Sequence, residues 1–332
     1  MSRPIEELAV IGDTATAAIV TRDGCIPWLC MPRFDSGACF AALVGTDDDG
    51  MWSLAPQGDF RVVQHAYSDE SLLLETVYET SDGAQVRVVD AMDPAGDTTR
   101  LMRLVVGVRG TVRMETRFRI RFDYGRVVPW IHRAPGALVA IAGPDGAALY
   151  TNVPLEGHDH EHTATFDVAE GERVGFELVY FPSYERQPGP SDLTRSLRRI
   201  DLFWREWART CSYQGPDRAL VMRSLLTLKV LTDAKTGAIA AAPTTSLPEQ
   251  LGGVRNWDYR YCWLRDATFV LVALLNAGYE AEAFAWRGWL LRAAAGNPEA
   301  VQILYGLRGE RRLPEFEAAW LAGYAGSRPV RI

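Results

Sequence analysis

The sequence predicts a multidomain α and β chain: an antiparallel β-sandwich, then a linker helix, then a helical segment. Three observations predict it. Up to about residue 185, short stretches alternate apolar and polar residues and are separated by the turn pairs Asp23-Gly24, Asp49-Gly50, Asp82-Gly83 and Asp145-Gly146. After Pro190 the apolar spacing changes from two residues to three and four. The length of 332 residues fits two domains at roughly 150 residues each. The expected division is 1–190 for the sandwich, 191–215 for the linker helix and 216–332 for the helical domain.

The alternation is clearest where Val112, Met114, Phe118, Ile120, Phe122 and Tyr124 interleave with Arg113, Glu115, Arg117, Arg119, Arg121 and Asp123. One face is apolar and the other charged, as in a half-buried sheet whose outer side is solvated. A single sheet would leave its apolar face in water, so two packed sheets are expected. Nothing in this half reads as an active site.

The linker helix is expected from Leu193, Leu197, Ile200, Trp204 and Trp207, with Ser191 as N-cap; its tryptophan stripe packs as core. A second helix runs from Asp217 to about Thr232 on Leu220, Leu225, Leu228 and Leu231. A loop rich in Pro, Thr, Ser and Gly covers Ala240 to Tyr261, followed by helices at Asp266–Asn276 and Glu280–Arg292 joined at the C-capping Gly278. From Gly296 onward polar loops surround one short apolar run, Val301–Leu304. So few helices do not enclose a core of their own; they pack on the sandwich or belong to an incomplete domain.

Composition excludes several classes. With 48% hydrophobic and 23% charged residues the whole length should fold. A net charge of −7, with Lys229 and Lys235 the only lysines, disfavours nucleic acid and anionic membrane as partners. Glu6 and Glu7 stand where a signal peptide needs an apolar run, and no later stretch approaches a membrane span. The five cysteines lack zinc-type spacing, so a reducing, cytoplasmic setting is expected, with neither a metal nor a cofactor. His158-Asp-His-Glu-His162 would present three imidazoles on one face if extended, but such a tract is weak compositional evidence and reads as a polar loop at the sandwich rim. Nothing in the sequence sets an oligomeric state.

The densest chemistry lies in Arg255-Asn-Trp-Asp-Tyr-Arg-Tyr-Cys-Trp-Leu-Arg-Asp266. Aromatic rings suit the apolar C–H faces of a pyranose, and Arg with Asp suits its fringe of hydroxyls, so this loop is a candidate sugar site. A purely structural alternative has Asp266 capping the next helix, with Arg255, Arg260 and Arg265 in surface ion pairs.

The longer stretch Ala242-Pro-Thr-Thr-Ser-Leu-Pro-Glu-Gln-Leu-Gly-Gly-Val-Arg-Asn-Trp-Asp-Tyr-Arg-Tyr-Cys-Trp-Leu-Arg-Asp266 resembles the first substrate loop of glycoside hydrolase family 15, the glucoamylases and bacterial trehalase-like enzymes. The opening, with Ile11-Gly-Asp and Arg22-Asp-Gly-Cys-Ile-Pro-Trp-Leu-Cys-Met-Pro-Arg-Phe-Asp35, is similar to the sandwich domain of the trehalase-type members. Gly306–Glu310 and Gly326-Ser-Arg-Pro-Val-Arg331 resemble later loops of the family.

The resemblance implies a β-sandwich followed by part of an (α/α)6 barrel, and hydrolysis of an α-glucosidic bond with inversion, on trehalose first or a glucan end second. Carried over position by position, it places Tyr259, Trp263, Arg265 and Asp266 at the terminal glucose, with Arg328 bordering the same pocket. The family's catalytic glutamates match no position here, Glu249, Asp258, Glu310, Glu315 and Glu317 included, so no catalytic residue is nominated and the chain is expected to be an inactive fragment. From a different class, a non-catalytic glucoside-binding or interaction module fits the same residues.

Overall fold

The computed structural model describes residues 4–295 and 298–332. The first three residues of the N-terminus, read above as lacking a signal peptide, and Gly296-Asn297 lie outside the described residues.

Two antiparallel sheets share one core. The larger runs, in spatial order, through Trp130–Ala134, Ala137–Ala142, Asp145–Thr151, Arg173–Pro182, Arg100–Arg109, Gln85–Met92, Leu74–Thr80 and Phe60–Tyr67. The smaller runs through Glu156–His158, Glu161–Ala169, Thr111–Arg119, Met51–Pro56 and Cys25–Ile26. Between them pack Trp52, Val86, Val88, Leu101, Val105, Val112, Met114, Phe118, Phe176 and Leu178, each burial stabilising the fold by roughly 1.5–3 kcal/mol before entropy is counted. A third sheet, Leu8–Gly12, Ala17–Thr21, Trp28–Cys30 and Ala38–Phe40, lines the side that meets the helices and the C-terminal loops.

Strand Thr111–Arg119 has the expected alternation, and its arginines are answered from the next strand: Arg117 Nε donates to Glu161 at 3.0 Å, and Arg113 lies 4.0 Å from Asp167. The alternation stops there. Arg121, expected on the solvated face, is buried and donates to the carbonyl oxygens of Ile120 and His160, because Asp123 and Tyr124 turn the chain with φ of 48° and 57°.

One turn reading needs correction. Asp145-Gly146 opens a strand; the two-residue connection is Gly143-Pro144, with Ala142 paired to Asp145 and Gly143 supplying the positive φ of 61°. The histidine tract is a hairpin, not an extended edge: Asp159 and His160, both at positive φ, make the turn and set His158 opposite Glu161. Its three rings therefore do not share a strand face.

The linker helix α1 spans Leu193–Ala208 and buries Leu197, Ile200, Trp204 and Ala208. Its N-cap is Asp192, whose carboxylate accepts the Arg195 N–H at 3.0 Å. Ser191 instead donates through both its N–H and its hydroxyl to buried Glu177. Helix α2, Arg218–Val230, buries Met222, Leu225, Leu226 and Val230, a stripe rotated from the expected one, so Leu220 is exposed. Helices α3, Leu264–Asn276, and α4, Glu280–Ala293, are joined through Gly278 at φ 93°. There the Gly278 N–H reaches Leu275 O and the Tyr279 N–H reaches Leu274 O, closing a Schellman motif.

The helices pack on the sandwich. Along strand Arg100–Arg109, Leu101 and Val105 face the core between the sheets, while Met102 and Leu104 face Leu197, Ile200, Trp204, Leu225 and Leu226. At this strand the sheet is thus buried on both faces, and the period-2 alternation that normally separates core from water here separates two cores.

Candidate functional site

Between α2 and α3 the chain from about 240 to 261 carries no regular element beyond the isolated bridge of Thr245 with Asp258. It is held instead by side chains. Trp28, from the opening motif, donates its indole N–H to Pro243 O at 2.9 Å. Buried Asn256 donates through Nδ2 to the carbonyl oxygens of Gly253, Ser327 and Pro329 at 3.1, 3.3 and 3.2 Å. Arg331 stacks over Trp257 at 4.6 Å and donates to Val254 O. Cys262–Trp263 pairs as a short strand with Leu304–Tyr305. The apolar run read at Val301–Leu304 thus ends in a strand beside the loop. Segments 242–266, 304–310 and 326–331, far apart in sequence, are neighbours in space.

Four of the five nominated residues meet directly. The rings of Tyr259 and Trp263 lie 5.2 Å apart at 34°, and the Trp263 indole donates to Asp258 O at 3.1 Å. Arg265 Nε donates to Asp266 Oδ2 at 3.2 Å, and the Tyr259 hydroxyl also bonds the guanidinium. Asp266, and secondly Tyr259, raise the proton affinity of Arg265, which is solvent-exposed. Arg328 lies on the Ser327–Pro329 segment tied to Asn256, exposed beside the loop rather than in contact with the other four. The residue before α3 is Trp263, and Asp266 makes no capping hydrogen bond, so the pure capping role does not hold.

Chemically, the site is an aromatic surface beside a charged pair, open to solvent and presented at the start of α3. A ring face can stack on a pyranose while Arg265 donates to, and Asp266 accepts from, adjacent hydroxyls. A cleft of about 960 Å³ between Asp13–Ala15, Asp93–Arg100, the first turns of α1 and Asp233–Thr236 includes none of the five nominated residues.

Arg260 is the residue the sequence did not reveal. The structural alternative put it in a surface ion pair, but it is 0% exposed. It forms a bidentate pair with Asp258 and bonds to residues of the β-rich half. Burial works against its charge, yet Asp258 holds its proton affinity well above the ordinary value. Burial also pushes the neighbouring Cys30 thiol up to about 11, so that group stays protonated. A charge inside an aromatic-rich loop carries no periodicity signal, so only the fold shows which of its three arginines is buried.

Residues 1–179 match the family described as trehalase-like, N-terminal, and residues 215–332 match glycosyl hydrolases family 15. The chain belongs to the trehalase-like glycosyl hydrolases of family 15. Among relatives, a trehalase of Mycolicibacterium smegmatis is 35% identical over 363 residues, covering 99% of this chain and 53% of that protein. A trehalase of Mycobacterium tuberculosis is 34% identical, covering 99% and 52%. One from Thermoplasma volcanium is 29% identical, covering 97% and 52%. The chain spans about half the length of these relatives. Among the described residues no helix is long and apolar enough to cross a membrane.

Proposed function

We propose that this chain supplies one wall of the glucose site of an inverting α-glucoside hydrolase, acting on α,α-trehalose first and on the end of an α-glucan second. The observation that carries this is the Tyr259–Trp263 ring pair set against Arg265 and Asp266, with Arg328 on the adjoining segment. The relatives named as trehalases, matched along nearly the whole chain, support the choice of trehalose.

Inversion requires a protonated carboxylic acid and a carboxylate base, typically ~6.5–9.5 Å apart. Near the loop, Asp258 is paired with Arg260, Asp266 with Arg265, Glu310 with Arg33, and Glu315 and Glu317 with Arg331. Each of these carboxylates is thus engaged by a guanidinium rather than presented to a substrate as an acid or base. We therefore assign catalysis to none of them and propose that the 332-residue chain alone holds sugar without cleaving it. The division at 190 and 215 is part of the same proposal, as is a reducing, cytoplasmic setting, which suits five buried cysteines with no disulfide among the described residues.

If the reading frame runs on past Ile332, the longer polypeptide should release β-glucose from trehalose. Release from none of trehalose, maltose and isomaltose would sink the hydrolase reading. A second reading, a non-catalytic glucoside-binding or interaction module, is favoured by sugar-type contacts without an acid–base pair. Calorimetry of the chain with glucose, trehalose and maltose at millimolar concentration tests it; no heat of binding with any of them rejects it.

A further inference from the structure

The loop that carries the sugar-type contacts is anchored by one side chain, and that anchor reaches into the other half of the molecule. Arg260 Nη1 donates to Phe34 O at 3.1 Å, Ser36 O at 2.8 Å and Cys30 Sγ at 3.3 Å. Its Nη2 donates to the Tyr124 hydroxyl at 2.7 Å and to Asp258 Oδ2 at 2.5 Å, and its Nε to Asp258 Oδ1 at 2.9 Å. The guanidinium also lies over the rings of Trp28 and Tyr124, at 5.8 and 5.2 Å. All three nitrogens of the fork are engaged, so its plane is fixed in two directions.

We propose that Arg260 is the positioning residue of the glucose-binding loop, and that Phe34, Ser36 and Tyr124 of the β-rich half set the orientation of Tyr259 and Trp263 through it. This rests on the glucose reading above for its ligand; the anchoring itself does not.

The connection is short and continuous. Asp258 takes the Arg260 guanidinium and also the Arg260 backbone N–H at 3.0 Å, so the side-chain pair closes the backbone around Tyr259. The carbonyl of the same Asp258 holds the Trp263 indole. Tyr259, between them in sequence, bonds Arg265, the partner of Asp266. A displacement of Arg260 is therefore transmitted to both rings and to the charged pair. A buried ion pair contributes little net stability compared with apolar side chains of equal volume, so what it supplies here is geometry. A binding surface held rigid beforehand binds more tightly, because the ordering cost falls on folding rather than on association. Lysine in this place would keep the charge and lose the planar fork.

The test compares the intact 332-residue chain with its Arg260→Lys and Tyr124→Phe variants. Tyr124→Phe removes one acceptor and leaves the ring packing in place. Hydrogen exchange of amides 257–266 is expected to quicken about tenfold in Arg260→Lys and a few-fold in Tyr124→Phe, with strands Thr111–Arg119 and Arg173–Pro182 keeping their protection. Glucose and trehalose titrations, read by calorimetry, are expected to show an affinity loss of about fivefold or more. Loop exchange unchanged in both variants, or quickened equally throughout the chain, overturns the proposal; where Arg260→Lys does not fold, Tyr124→Phe alone decides. If the unmutated chain binds neither sugar but the loop loosens as expected, the glucose reading fails and the anchoring stands. If both variants bind sugar as tightly as the unmutated chain, the positioning role is overturned and the glucose reading survives.

Discussion

Asp13 stands in the turn after strand Leu8–Gly12, where its Oδ1 accepts the N–H groups of Ala15 and Thr16 at 2.9 and 2.8 Å. Burial pushes its carboxyl up to about 6, outweighing the lowering by those bonds. Because the folded value lies above the unfolded one, the stability linked to this group is fully present below about pH 4 and is lost as pH rises through 6. Above that range the ionised carboxylate costs up to roughly 3 kcal/mol. Asp13→Asn keeps an oxygen for both backbone donors, so it is expected to raise the thermal midpoint at pH 8 and to leave it nearly unchanged at pH 4. An equal fall at both would show that the charge does not matter there. At the candidate site, Asp266→Ala should weaken glucose binding about tenfold, measured by calorimetry; full affinity in that variant would remove Asp266 from the site. Four of the nominated residues, Tyr259, Trp263, Arg265 and Asp266, stand out in the sequence because aromatics, arginines and aspartates crowd one short loop. Arg260 does not stand out, since the sequence presents it as one of three similar arginines and only its acceptors in the β-rich half, Phe34, Ser36 and Tyr124, distinguish it.

Elements whose pattern is set by their own burial were the legible ones. In α1 the apolar stripe from Leu193 to Trp207 has the burial its spacing predicts, and Trp207 stacks on Tyr279 at 4.0 Å while donating to Glu282 at 2.6 Å. Trp204, fully buried where α1 meets the sheet, is the element's main contact; Trp204→Ala is expected to cost about 3–5 kcal/mol, read from chemical denaturation. A loss below 1 kcal/mol would mean that α1 contributes little to the seam. The stripe of α2 was misassigned because its leucines lie on more than one face, and which face is buried depends on the neighbouring elements. Asp145-Gly146 failed for a related reason, since the preceding Gly143-Pro144 took the turn and left Asp145 to pair with Ala142. Gly278→Ala tests the Schellman junction: with φ at 93° and a Cβ that would lie 3.0 Å from Ser212 Oγ, it should cost about 1 kcal/mol or more.

Over the whole molecule, the helices bury one side against the sandwich and leave apolar side chains on the other. Phe269, Val272 and Leu275 of α3 and Phe284 and Leu291 of α4 are all exposed, with Phe269 at 71% and Phe284 at 66%. Exposed apolar side chains of this size promote association. The chain is expected to bind an environment-sensitive naphthalene sulfonate dye and to scatter light increasingly with concentration. Phe269→Glu combined with Phe284→Lys should suppress both while moving the thermal midpoint only slightly. Dye binding unchanged in the double variant would place the sticky surface elsewhere.

The bond from Trp28 to Pro243 and the fork of Arg260 bear on how this protein can be re-engineered. A chimaera that moved residues 216–332 onto a different scaffold would carry Arg260 away from Phe34, Ser36 and Tyr124, leaving a guanidinium in the interior with acceptors missing. Moving the candidate sugar loop between relatives therefore means exchanging it together with the segment 28–36 and the corner at Tyr124, as a single graft.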